Sequence, residues 1–364
     1  MKTADFEYIL PPERIAQEPV RPRDASRLLV LNRETGAAQD RVFSEIGEFL
    51  RPGDLLVVNR SKVFKARLAG VIASAYTNHA RQSPDSGDCF VAAAPRNDTK
   101  RLEIFLLRPE GAVWTALAKP GRKLKPGSEI EFSDGSACRV VEKNPDGTVS
   151  LDFGATAAEV LALTEKIGQV PTPPYVEKTV TDPADYQTVY AKEVGSVAAP
   201  TAGFHFTPEL IEKLKRQGIN FAEVILHVGL GTFRPIKTET LEEHAMHEEW
   251  LEVPPETRRA IQAAKTSGNR VIAVGTTTVR ALESGLEKGA TRIFITPGYQ
   301  FKTVDALITN FHLPKSTLLV LVSAFTGEKH ADSDWGRRTI LAAYQDAIAK
   351  GYRFYSFGDA MFVN

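Results

Sequence analysis

The sequence predicts an α/β protein with a larger α/β core domain and an inserted small antiparallel β-barrel domain. Apolar runs suited to buried strands alternate with amphipathic helices in the first and last parts of the chain. A middle stretch holds short strand-like segments between Gly and Pro turns, which is typical of a small barrel. The length of 364 residues exceeds the roughly 100 to 200 that one domain usually needs. We therefore expect residues 1–64 and 156–364 to form a discontinuous core and residues 65–155 to form the barrel.

The first part of the chain contributes two predicted strands and a short helix. Residues 27–31 and 55–59 are apolar runs, and the second is suited to a strand covered on both faces of a sheet. Residues 43–50 have the spacing of an amphipathic helix. These elements begin the core.

The predicted barrel follows from seven strand-like segments separated by polar, Gly or Pro turns. They are ARLAGVIA, CFVAAA, LEIFLL, AVWTALA, EIEFS, CRVVEK and VSLDF. The stretch from Tyr76 to Asp88 is polar and low in hydrophobic residues, so we expect a mobile loop there.

One turn of this predicted barrel is strongly basic. It carries four cationic residues and no acidic residue: Lys119, Arg122, Lys123 and Lys125. In a single sequence, such a run is more often a solvated turn than a nucleic-acid site. Charge alone therefore leaves both interpretations open.

Helix and strand patterns alternate again from about residue 157. Helices are predicted at 157–168, 254–267, 279–286 and 335–350. A strand is predicted at 270–274, and further strands or strand ends are predicted at 293–298, 306–310 and 318–323; residues 352–356 are predicted to end the sheet.

The segment 195–236 is organised around one well-marked helix. Thr207 is a favourable N-cap, Pro208 loses no hydrogen bond in the first turn, and Gly218 fits the helix end. The strand formers of 221–228 follow and lead into a Gly-Leu-Gly-Thr turn. Because open α/β sheets bind ligands at the carboxyl ends of their strands, we expect the chemistry in the segments that flank this helix.

Composition limits the class of protein and its surroundings. The 45 basic and 45 acidic residues give a formal net charge of zero, so any nucleic-acid partner must use a local patch. The two cysteines, Cys89 and Cys138, lack metal-ligand spacing and fit a reducing cytoplasm. We find no secretory leader pattern and no apolar run of about 18 residues. We therefore expect a cytoplasmic protein without membrane association.

Five of the seven histidines lie between His205 and His312. His205 and His227 lie beside glycine turns, where either could transfer a proton near neutral pH or only hold the end of a sheet together. His244 and His247 do not fit the usual zinc-protease patterns, so we expect no metal.

A Gly-Thr-Thr-Thr segment begins at Gly275, after a predicted strand and before a predicted helix. Free backbone N–H groups at such a helix start bind anions or polar groups. The segment is not G-x-G-x-x-G, so a dinucleotide fingerprint is absent. The residues by themselves indicate an α/β enzyme that acts on a nucleotide-like or sugar ligand.

Four motifs add a family resemblance that spans nearly the whole chain in order. They are VAAPTAGFHF at 197–206, HVGLGTF at 227–233, GTTTVRALES at 275–284 and VDALITNFHLP at 304–314. Together they resemble the S-adenosylmethionine:tRNA ribosyltransferase-isomerase family of queuosine biosynthesis. Departures from the family pattern lie mainly in the barrel region, for example at 59–63 and 99–103.

The resemblance implies a reaction and its partners. The ribosyl part of S-adenosylmethionine would move to the aminomethyl group of preQ1 at the wobble position of a tRNA, giving epoxyqueuosine, methionine and adenine. S-adenosylmethionine is then a co-substrate, with no further cofactor and no metal. The preQ1-modified tRNA would be bound at its anticodon loop, and we expect a monomer.

The same resemblance suggests roles for individual residues. We hypothesise that His205 or His227 is the base, and that Asp305 orients a partner or holds a ribose hydroxyl. Phe204 or Phe233 would stabilise the sulfonium by cation–π attraction. The remaining predicted substrate contacts are Thr201, Gly203, Gly229, Gly231, Thr232, Gly275, Thr276, Thr277, Asn310 and His312. The basic turn at Lys119, Arg122, Lys123 and Lys125 would hold the tRNA backbone.

Two other classes of function compete with this interpretation. One is a non-catalytic RNA-binding module that uses the barrel, and the other is an ordinary methyltransferase or sugar isomerase. Products separate the enzymes, because methyl transfer leaves S-adenosylhomocysteine whereas ribosyl transfer leaves adenine and methionine.

Overall fold

The computed structural model describes residues 1–73, 101–178, 180, 182–229, 231 and 235–364. Contacts divide the chain into two compact units, one made of Met1–Val63 with Thr172–Asn364 and the other of Phe64–Pro171. The predicted fold class, an α/β protein with a small antiparallel barrel, is confirmed. The second unit includes a helix, α1 (Ala157–Ile167), that follows the predicted barrel boundary at residue 155.

The larger unit is built on a mixed sheet of nine described strands. In spatial order they are β15 (Lys288–Thr291), β13 (Glu249–Glu252), β12 (Asn220–Leu226), β3 (Leu55–Asn59), β14 (Val271–Val274), β16 (Ala306–Asn310), β17 (Ala360–Val363), β1 (Arg27–Leu31) and β2 (Ala38–Val42). The four central strands, β12, β3, β14 and β16, run parallel. Their carboxyl ends therefore meet at one edge of the sheet. A separate two-stranded pair joins β4 (Ser61–Val63) to β11 (Glu193–Ser196).

Alternating side chains of these strands form two hydrophobic cores, one on each face of the sheet. In β3, Leu55 and Val57 belong to one core whereas Leu56 and Val58 belong to the other. This alternation is the two-residue period of a strand, and burial of both faces explains why the strand is apolar throughout.

The described part of the larger unit contains five α-helices. They are α2 (Pro208–Arg216), α3 (Pro255–Thr266), α4 (Thr276–Glu283), α5 (Thr317–Gly327) and α6 (Trp335–Ala349). Leu210 and Leu214 of α2 pack into one core, whereas buried residues of α4, α5 and α6 contribute to the other. The sheet is thus covered on both faces.

The smaller unit contains a closed antiparallel barrel of six described strands. They follow one another around the barrel as β10 (Val149–Asp152), β7 (Val113–Lys119), β6 (Arg101–Glu110), β5 (Arg67–Ile72), β8 (Glu129–Phe132) and β9 (Ala137–Lys143). The predicted strand CFVAAA, the predicted loop Tyr76–Asp88 and Cys89 lie outside the described residues.

Three of the predicted late strands are wrong. The apolar run at 318–323 lies in α5, which begins with the Ser316 side chain accepting a hydrogen bond from the Leu319 backbone N–H. A short apolar run has the same appearance in a buried helix and in a buried strand, which explains the error. Residues 293–298 and 352–356 form no strand, and the last strand is β17. Among the described residues, no helix is both long enough and apolar enough to cross a membrane.

Candidate functional site

A cavity lies at the carboxyl ends of the parallel strands in the larger unit. It encloses about 500 Å³, a volume that includes space open to solvent. Val228 follows β12, Gly275 follows β14, and Thr309 and Asn310 end β16. The other lining residues come from 199–202, 276–277, 311–313 and 355–356, together with Tyr175 and Leu318. Each of the four family-like motifs contributes to this lining.

Glycine is required where the chain turns from β14 into α4. Gly275 has φ +92°, a left-handed conformation that side chains rarely adopt, and a Cβ there would meet the Cβ of Ala202 at 3.5 Å. The turn brings the start of α4, with Thr276 and Thr277, to the cavity. The positive end of the helix dipole and its first N–H groups therefore face this region.

Asn310 links several parts of the cavity wall. Its Nδ2 lies 3.2 Å from the carbonyl oxygen of Tyr355 and 3.3 Å from His205 Nε2. Thr201 Oγ1 donates to Asn310 Oδ1 at 3.4 Å. The other ring nitrogen of His205, Nδ1, lies 2.8 Å from Ser26 Oγ. His205 is thus joined to the cavity through Asn310 and does not line it.

His312 lines the cavity directly. Its Nε2 is hydrogen bonded to Thr309 Oγ1 at 2.9 Å, and its backbone is held by the hydroxyls of Tyr8 and Tyr344. Burial lowers the pKa of His312 to about 3, so the ring is neutral at pH 7. A neutral imidazole can accept a proton from a bound ligand.

Two tyrosines of the cavity wall were not found by sequence reasoning. The rings of Tyr175 and Tyr355 lie 4.6 Å apart at 50°, and Tyr175 Oη is hydrogen bonded to Ser356 Oγ at 2.8 Å. Tyr355 has φ +71°, which is an outlier for a bulky residue. Strained backbone of this kind is concentrated at functional sites.

His227 follows the end of β12 and is not among the residues that line the cavity, although its neighbour Val228 is. The His227 ring stacks on Trp250 with centroids 5.2 Å apart, and a Cβ at Gly195 would come within 2.6 Å of it. Burial lowers the pKa of His227. The His227 side chain is therefore packed between Trp250 and the backbone of Gly195.

A buried carboxylate binds the backbone of the glycine turn that follows β12. Glu249 Oε1 accepts from the backbone N–H of Gly229 at 3.0 Å, and Glu249 Oε2 forms an ion pair with Arg280 of α4. Gly231 lies so close to the His247 ring that a Cβ would clash with it. Thr232 and Phe233 lie outside the described residues.

Asp305 lies at the opposite edge of the sheet from the cavity. It precedes β16, so it is at the amino ends of the parallel strands. Both carboxylate oxygens bind Lys265 Nζ at 2.8 Å, and one also accepts from the Val271 backbone N–H. These contacts tie α3 to the start of β14.

Phe204 and Gly203 support the site from inside the fold. The Phe204 ring is covered by the Arg23 guanidinium at 4.9 Å and packs against Phe357. A Cβ at Gly203 would collide with Tyr190. The cation–π position on Phe204 is therefore already occupied by Arg23.

The described residues contain no group of three or more His, Cys, Asp or Glu side chains that could hold a metal ion. The His244 ring packs against Phe294 with centroids 5.3 Å apart, and His247 lies beside Gly231.

The basic turn of the barrel is solvent-exposed at all four predicted positions: Lys119, Arg122, Lys123 and Lys125. No ion pair with an acidic residue of the described chain is formed by any of them. Leu124 between them is buried and anchors the turn. Within the described residues, these four cationic groups face solvent.

Comparison with known proteins agrees with the motifs. The model of a family described as queuosine biosynthesis protein matches residues 3–363. Proteins named S-adenosylmethionine:tRNA ribosyltransferase-isomerase from Moorella thermoacetica and Thermotoga maritima are 47% and 48% identical, each over 100% of both chains. A Thermotoga maritima crystal structure named S-adenosylmethionine tRNA ribosyltransferase is similar with a TM-score of 0.53 and 39% identity, covering 99% of this chain and 100% of that one. The resemblance read from the four motifs is confirmed.

Proposed function

Because this chain belongs to the queuosine biosynthesis protein family, we propose that it transfers and isomerises the ribosyl part of S-adenosylmethionine onto preQ1 in tRNA. The acceptor is the aminomethyl group of preQ1 at the wobble position, and the products are epoxyqueuosine-tRNA, adenine and methionine. The observation that carries the proposal is the convergence of all four motifs on one cavity at the carboxyl ends of parallel strands.

The cavity supports this proposal because its wall combines hydroxyl groups with aromatic rings. Thr201, Thr276 and Thr277 supply hydroxyls suited to a ribose or an amino-acid group, while Tyr175 and Tyr355 supply aromatic surface. Aromatic faces also attract a sulfonium cation. We therefore assign the sulfonium contact to these tyrosines in place of Phe204.

The reaction needs a group that takes a proton from the C5′ carbon beside the sulfonium. Three histidines were proposed to contact or act on the substrate: His205, His227 and His312. Among the described residues that line the cavity, His312 is the one of these three that is present. Its position on the cavity wall and its neutral ring, which is hydrogen bonded to Thr309, support the proposal that it takes this proton. We therefore prefer His312 to His205 and His227 for this role.

We propose that the exposed cations of the basic turn contact tRNA phosphates, with Lys119, Arg122, Lys123 and Lys125 as the contacting residues. A wobble base must leave the anticodon loop to reach an enclosed site, and single-stranded loops are the usual targets of specific RNA recognition. We further propose that the protein acts as a cytoplasmic monomer.

The products test this function against methyl transfer. The protein is incubated with S-adenosylmethionine and preQ1-containing tRNA, and both small molecules and digested tRNA nucleosides are analysed by mass spectrometry. Methionine, together with an epoxyqueuosine nucleoside, is the expected result. S-adenosylhomocysteine with a methylated nucleoside would replace the proposal by a methyltransferase.

A further inference from the structure

The orientation of the Asn310 side-chain amide follows from its neighbours. The carbonyl oxygen of Tyr355 can only accept a hydrogen bond, and it lies 3.2 Å from one terminal atom of Asn310. That atom must therefore be the NH₂ nitrogen. The amide oxygen then faces Thr201 Oγ1, a hydroxyl that can donate to it.

This orientation determines the protonation of His205. The Asn310 NH₂ group also lies 3.3 Å from His205 Nε2, so Nε2 must be the acceptor and carries no proton. The proton of the neutral ring is then on Nδ1, which donates to Ser26 Oγ at 2.8 Å. Each nitrogen of His205 is thus used within the protein.

The surroundings of His205 keep the ring neutral. It is only 3% exposed and lies against Phe43, with ring centroids 5.1 Å apart. Burial, together with the positive charges of Arg353 and Arg23, lowers the pKa of His205 to about 3. A protonated ring would also direct an Nε2–H at the NH₂ group of Asn310, which cannot accept it.

We propose that His205 is a positioning residue, which fixes the Asn310 amide so that Asn310 Oδ1 accepts a hydrogen bond from a hydroxyl or amine of the substrate. The two hydrogens of the Asn310 NH₂ group are taken by Tyr355 and His205, so Oδ1 is what Asn310 offers to a ligand. The inference rests on the proposed function for the identity of the substrate.

The same amide holds the backbone of Tyr355. The Asn310 NH₂ group and the Gly358 N–H both donate to the Tyr355 carbonyl oxygen, on the residue with φ +71°. Loss of the Asn310 orientation should therefore also release the Tyr355 ring from the cavity wall. His205, Asn310 and Tyr355 act as one unit.

The test compares three substitutions of His205 that differ in where they place an acceptor. In His205→Gln, the amide oxygen reaches the position of Nε2, whereas in His205→Asn it reaches only the position of Nδ1. His205→Ala removes both. Turnover, S-adenosylmethionine affinity and urea unfolding are measured for each full-length variant.

We expect His205→Gln to retain most of the turnover of the wild type. His205→Asn and His205→Ala should lose about 10²-fold in kcat through misplacement of Asn310. Asn310→Asp should lose a similar factor, about 10²-fold, because a carboxylate cannot donate to Tyr355 and His205. If His205→Ala does not fold, the comparison of Gln with Asn still decides the question.

A folded His205→Gln variant as inactive as His205→Asn would overturn the proposal, because that is the pattern of a histidine that transfers protons. A second readout does not depend on activity. In protein labelled with ¹⁵N-histidine, NMR should show His205 as the neutral Nδ1–H tautomer at pH 7, and an Nε2–H tautomer would contradict the inference. Failure of the proposed function would instead appear as a wild type without ribosyl transfer and with the expected tautomer.

Discussion

Glu249 and Arg280 form an ion pair whose side chains are only 1% and 4% exposed. Glu249 lies on β13 and Arg280 on α4, the helix whose first turn reaches the cavity. The other Glu249 oxygen accepts from the Gly229 N–H. The pair therefore joins the glycine turn after β12 to the helix that follows β14.

Replacing one member of this pair should be strongly destabilising. Glu249→Gln leaves the Arg280 charge buried without its counter-charge, so we expect a loss of about 3–5 kcal/mol in the free energy of unfolding measured with urea. The control is Glu252→Gln on the same strand, which breaks the more exposed pair with Lys288 and should cost less than about 1 kcal/mol. Equal losses in the two variants would show that the buried pair has no special role.

His312 should be required for turnover. His312→Gln can keep a hydrogen bond to Thr309 but cannot accept the substrate proton, so kcat should fall by about 10²–10⁴-fold. S-adenosylmethionine affinity, measured by calorimetry, should change only slightly. The matched control is His330→Gln, since His330 stacks on Trp335 and is not part of the cavity wall. A His312→Gln enzyme with near wild-type kcat would remove His312 from the mechanism.

Buried neutral histidines should make stability depend on pH. The folded-state pKa values of His205 and His312 are lowered from 6.5 to about 3, so between these values the unfolded state binds more protons. The contribution of these histidines to the free energy of unfolding is therefore fully present above about pH 6.5. As the pH is lowered below that value, it falls by about 1.4 kcal/mol per pH unit for each histidine.

The measurement is the urea unfolding free energy at pH 5.0, 6.0, 7.0 and 8.0. Between pH 5 and 6, the free energy of unfolding should change less steeply with pH in His205→Gln than in the wild type. The expected difference in slope is about 1.4 kcal/mol per pH unit, which corresponds to one proton. Identical slopes for the two proteins would contradict the assignment of a buried, neutral His205.

The basic turn of the barrel should control tRNA affinity. Exchange of both Arg122 and Lys123 for glutamate should raise the KM for tRNA and lower the magnitude of the logarithmic salt slope by about 0.7–0.9 per lost phosphate contact. The control is Lys143→Glu, an exposed cation in the same unit but outside the turn. A salt slope unchanged in the double variant and equal to that of the control would show that the turn is only solvated.

The sequence allowed good prediction of features that depend on local chemistry. The predicted N-cap Thr207 accepts from the Leu210 N–H at 3.1 Å, and Gly218, the predicted end of α2, has φ +82°. The strand β3 occupies the predicted range Leu55–Asn59. Each of these depends on residues close together in the chain, so each leaves a local pattern.

Features that depend on distant residues could not be predicted in the same way. Asp305 lies next to a strand motif, but only strand direction shows that it is at the edge opposite the cavity. The positive φ of Tyr355 leaves no signal in its residue type, because that backbone is held by Asn310, a residue distant in the chain at the end of β16.

Adenine release from S-adenosylmethionine tests the proposed function most directly. The wild-type protein is incubated with preQ1-containing tRNA, with unmodified tRNA, or without RNA, and free adenine is followed by chromatography. We predict adenine only with preQ1-containing tRNA, in amounts equal to the modified tRNA. Absence of adenine from all three reactions, with the protein folded, would contradict the account and favour a binding function for the cavity.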